Sequence, residues 1–257
     1  MRIFFALVFT LFASLPAHAS PPQVISVEET LISIGGPGGG PGQFIFVLRE
    51  LKDNMGSHSR RQIDVVLIAR SIATNDDVYL WPISRTLDNG PGHVETDGNP
   101  RVVTVPLDEE YNPWRVADIH HGGHPNQIKA DENSGIEVLS NKDGVLISVK
   151  TPSFAYDPPE GTPERTSYWV SYGKLAKEFE YSLSNTRYSF RPYFIESTDP
   201  LISPQFNPEQ DCKFDYFAEL SEQTDGAQQG FWVAYVTCEN ENTMAPVSMF
   251  ITLQPLP

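Results

Sequence analysis

Two cysteines, Cys212 and Cys238, constrain this chain more than any other feature. The stretches beside them, 213–220 and 230–237, alternate as strands do, and the polar run 221–229 reads as the turn between them. A hairpin symmetric about Asp225 puts Cys212 directly opposite Cys238 and Ala218 opposite Trp232. Phe214, Tyr216 and Leu220 then share the cysteine face. The expected outcome is one disulfide clamping the open end of the hairpin, worth about 3 kcal/mol for a closed loop of this size. The alternative, a reactive thiol pair, calls for the closer C-x-x-C spacing.

A disulfide needs an oxidising compartment, and the N-terminus reads as a route to one. Arg2 precedes an apolar run, 3–15, then Pro16 and the small-x-small site Ala17-His18-Ala19. This is the pattern of a signal peptide over 1–19. The run is too short to cross a hydrocarbon core, which takes about 20 residues. The expectation is an exported, soluble protein beginning at Ser20, periplasmic or extracellular. No later stretch is apolar enough for membrane insertion of the mature chain.

The sequence carries 18 Lys and Arg against 33 Asp and Glu, a net charge of −15. Such a chain is repelled by phosphate backbones, which argues against nucleic acid. The acidity serves solubility and suits a basic protein partner.

Strand-like runs recur along the whole chain. They fall at 23–34, 44–51, 63–72, 78–83, 101–107, 136–139, 145–149, 168–172, 178–183, 188–195 and 247–253. Pro82 suggests an edge or an end of its strand, and Asp143-Gly144 marks a tight hairpin. The Gly- and Pro-rich loop 35–42 lacks a following Lys-Ser/Thr and leads into a strand, so it reads as a connector rather than a phosphate cradle. Leu175, Phe179 and Leu183 also fit a short helix, but the alternation of Phe179, Tyr181 and Leu183 favours a strand. With 22 prolines, the chain reads as all-β: an antiparallel, sandwich-like fold, as one unit or two packed β subdomains, with a disulfide-clamped C-terminal hairpin. The organisation expected is a signal peptide (1–19), a β-rich half (20–110), a His- and Gly-rich junction loop (111–134) and a second β-rich half (135–257) containing the hairpin 212–238.

The stretches Gly135-Ile-Glu-Val, Asp143-Gly-Val-Leu-Ile-Ser and Glu164-Arg-Thr-Ser-Tyr-Trp-Val-Ser-Tyr-Gly-Lys174 resemble a pattern in exported bacterial β-hairpin-rich proteins of unknown function. The resemblance covers about 135–184. It implies consecutive β-hairpins and carries no activity.

Histidines concentrate in Asp118-Ile-His-His-Gly-Gly-His124. Asp118 and His120 share a face if extended, and Gly122-Gly123 lets His124 fold back towards them. These three make a candidate zinc or copper site, with His121 turned away. The bland alternative is a polar turn, since no H-E-x-x-H spacing is present. His58 and His93 are isolated. No G-x-S-x-G elbow supports a nucleophile, and no two carboxylates stand out as a glycosidase pair. Trp81, Tyr156, Trp169 and Trp232 suit a core better than a glycan platform, whereas Tyr111 and Trp114, beside the histidines, are candidates for a binding surface with His121.

The function expected is therefore binding: an exported protein engaging a protein partner, in the manner of an inhibitor or immunity protein. The alternatives are a metal-binding protein or metal-dependent enzyme using Asp118, His120 and His124, and a glycan-binding module.

Overall fold

The computed structural model describes residues 24–35, 43–54, 60–96, 98, 100–106, 128–130, 134–150, 163–190, 212–224, 227–239 and 246–256. Their regular elements, in chain order, are β1 (Val24–Gly35), β2 (Phe44–Asp53), β3 (Arg61–Ser71), β4 (Asp77–Asp88), β5 (Val102–Pro106), β6 (Ile136–Asn141), β7 (Gly144–Lys150), β8 (Arg165–Ser171), α1 (Tyr172–Ser189), β9 (Cys212–Thr224), β10 (Ala227–Cys238) and β11 (Val247–Leu253). The strands form an eight-stranded sheet, ordered β5-β4-β3-β2-β1-β11-β10-β9, and a three-stranded sheet, β6-β7-β8.

Alternation decides which residues go inside. Ile45, Val47, Arg49 and Leu51 share one face of β2, and register sets them opposite Arg70, Ile68, Val66 and Asp64 of β3. One core joins Val27 and Leu51 to the inner residues of β10 and β11. The small sheet (Ile136, Val145, Ile147, Val149, Tyr168) and the helix (Leu175, Phe179, Leu183) pack against them. A second core joins Leu31, Ile45, Val47, Val66 and Ile68 to Ala218, Leu220, Val233 and Phe250. All seven residues of β11 are buried, so this strand is covered on both faces. Each large side chain so enclosed contributes about 1.5–3 kcal/mol.

The β-rich, sandwich-like fold and the Cys212–Cys238 disulfide are as the sequence implies. The structure departs from expectation in three places. First, the large sheet is mixed rather than antiparallel: β1 meets β11 in parallel, with the single register pair Val27↔Val247. Beyond that pair, side chains take the place of a neighbouring strand. Glu29 accepts the Phe250 N–H at 2.7 Å, and Arg70 donates to the Phe250 carbonyl. Asn75 accepts the Thr252 N–H at 2.6 Å and donates to its carbonyl at 3.0 Å. Each buried backbone group is thus paired without a ladder.

Second, 172–189 is a helix, not a strand. Tyr172, Leu175, Phe179 and Leu183 are buried at helical spacing, while Tyr181 is 56% exposed. The alternation that favoured a strand would have needed Tyr181 inside. Packing against the sheet settles the choice, because helical spacing buries four apolar side chains and also aims Ser182 and Thr186 at Arg49. The expected strand 188–195 loses its first residues to this helix, and 191–195 lie outside the described residues.

Third, the hairpin register slips by one. Cys212 pairs with Cys238 and Phe214 with Val236, but Tyr216 pairs with Tyr235, so Asp215 is an extra residue. Ala218 therefore faces Val233, and Trp232 faces Glu219. The bulge also swaps faces. Cys212 and Phe214 pack in the first core, whereas Leu220, expected beside them, packs in the second.

Two local expectations hold. Asn141 pairs with Gly144 across the tight turn. A Cβ on Gly144 would come within 2.3 Å of the Val170 carbonyl oxygen, so only glycine fits there. Pro82 pairs with Val66 on one side, and β5 begins only at Ser84 on the other. Among the described residues nothing pairs with the proline on that side, which suits an edge position.

Candidate functional site

The strongest concentration of chemistry-bearing side chains is a buried charge network between the large sheet and α1. Register builds it. Glu29 lies opposite Arg49 on β1 and β2, and Arg70 lies opposite Asp77 on β3 and β4. All four point to the face that α1 covers, and all are buried.

Arg49 holds Glu29 through Nε at 2.9 Å and through Nη2. Its other donors reach the Ser182 carbonyl at 3.0 Å, Thr186 Oγ1 at 2.5 Å and Ser182 Oγ at 2.6 Å. Arg70 donates to Asp77 at 2.7 Å and to both Glu29 oxygens at 3.0 and 2.8 Å. Ser182 Oγ donates to Asp77, whose Oδ2 also lies 3.5 Å from Arg49.

Two arginines and two carboxylates make the cluster neutral, which is what allows it to be buried. Burial alone would push the Asp77 carboxyl up. The Arg70 and Arg49 guanidiniums, with hydrogen bonds from Arg70 and Ser182, outweigh that and hold it below the usual carboxylate range. Burial likewise opposes the charge of Arg70, and Asp77 and Glu29 overcome it. Nearby, Asp64 takes a bidentate pair of bonds from Arg85 at 2.6 and 2.7 Å, and the Arg85 guanidinium lies over the Phe190 ring.

Chemically, the network is a lock. Ser182 is sealed from solvent, its proton is committed to Asp77, and no histidine stands beside it among the described residues. Sequence reading passed over it because Arg49 and Arg70 sit inside apolar runs. The available signal was phase, since both arginines occupy the inward positions of their strands.

The exposed surface offers a different feature. Glu28 lies directly opposite Glu50 on β1 and β2. Glu28 is exposed, and the Glu50 side chain is 43% exposed. Like charges in that relation are unfavourable unless a cation joins them, and Lys52 Nζ does so for Glu50 at 2.7 Å. Elsewhere on the sheet, half-buried Tyr235 pairs with Tyr216 at 6.1 Å between ring centres and packs on Phe250 of the second core at 4.7 Å. Burial raises the Tyr235 hydroxyl; a hydrogen bond with Ser248 opposes this, and the negative charges of Glu28, Glu29 and Asp215 add to it. Lys129 Nζ already lies 5.4 Å from the centre of the Tyr216 ring.

The candidate residues Asp118, His120 and His124, and with them Tyr111, Trp114 and His121, lie outside the described residues, as do His58 and Tyr156. Among the described residues no group of three or more His, Cys, Asp or Glu side chains is placed to hold a metal ion. His93 follows a turn, its N–H donating to the Gly90 carbonyl at 3.1 Å. Trp81 stacks on Tyr79 with ring centres 5.7 Å apart, and Trp232 is buried in the first core. Cys212 and Cys238 are joined, with Cα atoms 4.0 Å apart. No helix among the described residues is long and apolar enough to cross a membrane.

Compared with family models, curated proteins and solved structures, the chain matches none.

Proposed function

We propose that this chain is an exported protein that acts by binding a basic protein partner, as inhibitor and immunity-type proteins do. The observation that carries this reading is the pair of carboxylates on the outer face of β1 and β2, Glu28 directly opposite Glu50. Paired carboxylates suit lysine and arginine side chains, which join them by ion pairs as Lys52 joins Glu50 at 2.7 Å. The net charge of −15 extends the attraction beyond the pair and speeds encounter. The sealed state of the buried network favours binding over catalysis, because its polar groups satisfy one another.

The test is capture from the exported fraction of the source cells on immobilised wild-type protein and on a Glu28→Lys/Glu50→Lys variant. The expected result is a basic protein held by the wild type, released as salt rises and lost by the variant. Identical retained proteins on both supports overturn the reading.

A further inference from the structure

Among the described residues, the outer edge of β5 is unpaired. The strand pairs with β4 on one side only, and it ends the large sheet. No described residue pairs with its other side. Val102, Thr104, Val105 and Pro106 are exposed, Val102 at 51% and Val105 at 37%. Folded proteins usually blunt such an edge with a lysine, an inward charge or a covering loop. The residues Val102-Val-Thr-Val-Pro106 carry no charge, and the proline blocks only one end.

The ladder fixes which backbone groups are free. Asn89 N–H donates to the Arg101 carbonyl at 3.0 Å, so that pair is hydrogen-bonded. Alternation in an antiparallel ladder makes Val103 and Val105 the next residues bonded to β4, and it turns the backbone groups of Val102, Thr104 and Pro106 outward. The Thr86 and Thr104 hydroxyls, 2.9 Å apart, fit the closer spacing of a non-hydrogen-bonded pair.

We infer that β5 pairs antiparallel with β5 of a second copy of this chain, about a twofold axis at Thr104, to join two large sheets edge to edge. In this register all five residues of each strand find a match. Thr104 meets its own counterpart with two backbone hydrogen bonds. Val102 meets Pro106, donating its N–H to the proline carbonyl, and this happens twice by symmetry. Val103 meets Val105, so exposed valine covers valine. The Thr86–Thr104 hydroxyl pair becomes a ladder of four threonines across the junction.

The chemistry favours a second copy over the basic partner of the preceding section. A basic segment would find no carboxylate on β5, whereas the strand complements itself position by position. The size of the contact sets its strength. Five residues a side is far below the roughly 20–30 of a standard interface, so the dimer is weak and concentration-dependent. Each copy carries a charge of −15, which opposes association. Screening shortens that repulsion to about 8 Å at physiological salt, so the dimer tightens as salt rises. Capture of a basic partner weakens with salt, so the two proposals respond in opposite directions and can fail separately.

The experiment is sedimentation equilibrium of the full chain from micromolar to millimolar concentration, at low and high sodium chloride. Wild type is compared with Thr104→Pro, which removes the central outward N–H, and with Val105→Lys, which adds a charge beside the junction. Circular dichroism checks that each variant folds. The expected result is a monomer–dimer equilibrium that tightens with salt and weakens at least about tenfold in both variants. A nitroxide on Thr104→Cys, read by pulsed electron resonance, is expected to show a short interspin distance that disappears on dilution. A monomer under every condition, a dimer indifferent to both variants, or β5 occupied by a different protein overturns the inference.

Discussion

Asn75 binds Thr252 as one strand binds another. Its side-chain amide donates to the Thr252 carbonyl at 3.0 Å, and its Oδ1 accepts the Thr252 N–H at 2.6 Å and the hydroxyl at 2.8 Å. The Ile72 carbonyl, also 2.8 Å from the Thr252 hydroxyl, shares that single proton with Asn75 Oδ1. Asn75 sits at φ 66°, a left-handed conformation that asparagine tolerates better than most residues. One side chain thereby ties the β3–β4 turn to β11.

Removing that side chain should be costly because it strands two buried backbone groups. Asn75→Gly keeps the left-handed backbone easy and deletes only the amide. It is expected to cost about 1–3 kcal/mol in urea unfolding. Asn75→Ala should cost more, since alanine also strains at positive φ. Equal losses for the two would mean that the backbone conformation contributes nothing.

The four-charge network predicts strong non-additivity. Arg70→Met leaves Asp77 short of its main cation and Glu29 short of one of its two, and should destabilise the fold by about 3–5 kcal/mol. Adding Asp77→Leu removes one of the stranded charges. The double variant is therefore expected to be more stable than the sum of the single changes. Denaturant midpoints of the three proteins, with unchanged slopes, provide the check.

Acid stability should follow from Asp77 with a definite sign. In the unfolded chain this carboxyl titrates near its ordinary 3.8, and in the folded protein it is lower. As pH falls past 3.8, the unfolded state binds a proton that the folded state still refuses, so stability drops until the folded carboxyl also protonates. Glu178 acts in the opposite sense. Burial raises it above 4.5 against the pull of Lys174. The folded state keeps the proton longer, so its contribution falls as pH rises through that raised value. Glu178→Gln is expected to raise the melting temperature at neutral pH and to change little in mild acid. A lower melting temperature at pH 7 would contradict the assignment.

Replacing both cysteines should weaken the fold without changing it. The Cys212→Ser/Cys238→Ser variant is expected to lose about 3 kcal/mol, with the far-ultraviolet spectrum retained. Two free thiols in the denatured wild-type protein would remove the basis of this prediction.

Most strands were legible because burial on one face writes period-two alternation into residues such as Ile45, Val47 and Leu51. Arg49 shows the limit of that signal: a charge in phase with the core looks like an interruption until its partners are known. Those partners, Glu29, Ser182 and Thr186, come from two other elements. The helix was missed because Phe179 and Leu183 fit both periods, whereas Tyr181 fits only the strand period and is exposed. The hairpin slip was missed because Asp215 gives no sign of being an extra residue. Of the site residues named from sequence, the Asp118–His124 group lies outside the described residues, while the opposed carboxylates Glu28 and Glu50 arise from register, which no single stretch displays.

Glu29 and Phe250 are 221 residues apart, yet one hydrogen bond joins them across the middle of the large sheet. Strand β1 can therefore be completed on this side only when β11 is in place. Until then the Glu29 carboxylate lacks the Phe250 N–H and Arg70 lacks the Phe250 carbonyl, although both still hold partners within the first four strands. Contacts so distant in sequence slow folding, since a long loop must close before any bond repays it. The same arrangement makes the last strand a checkpoint: a chain cut before Val247 has every earlier strand but cannot close its core. Its buried charges would then face water, marking the fragment as unfinished to any protease that samples it.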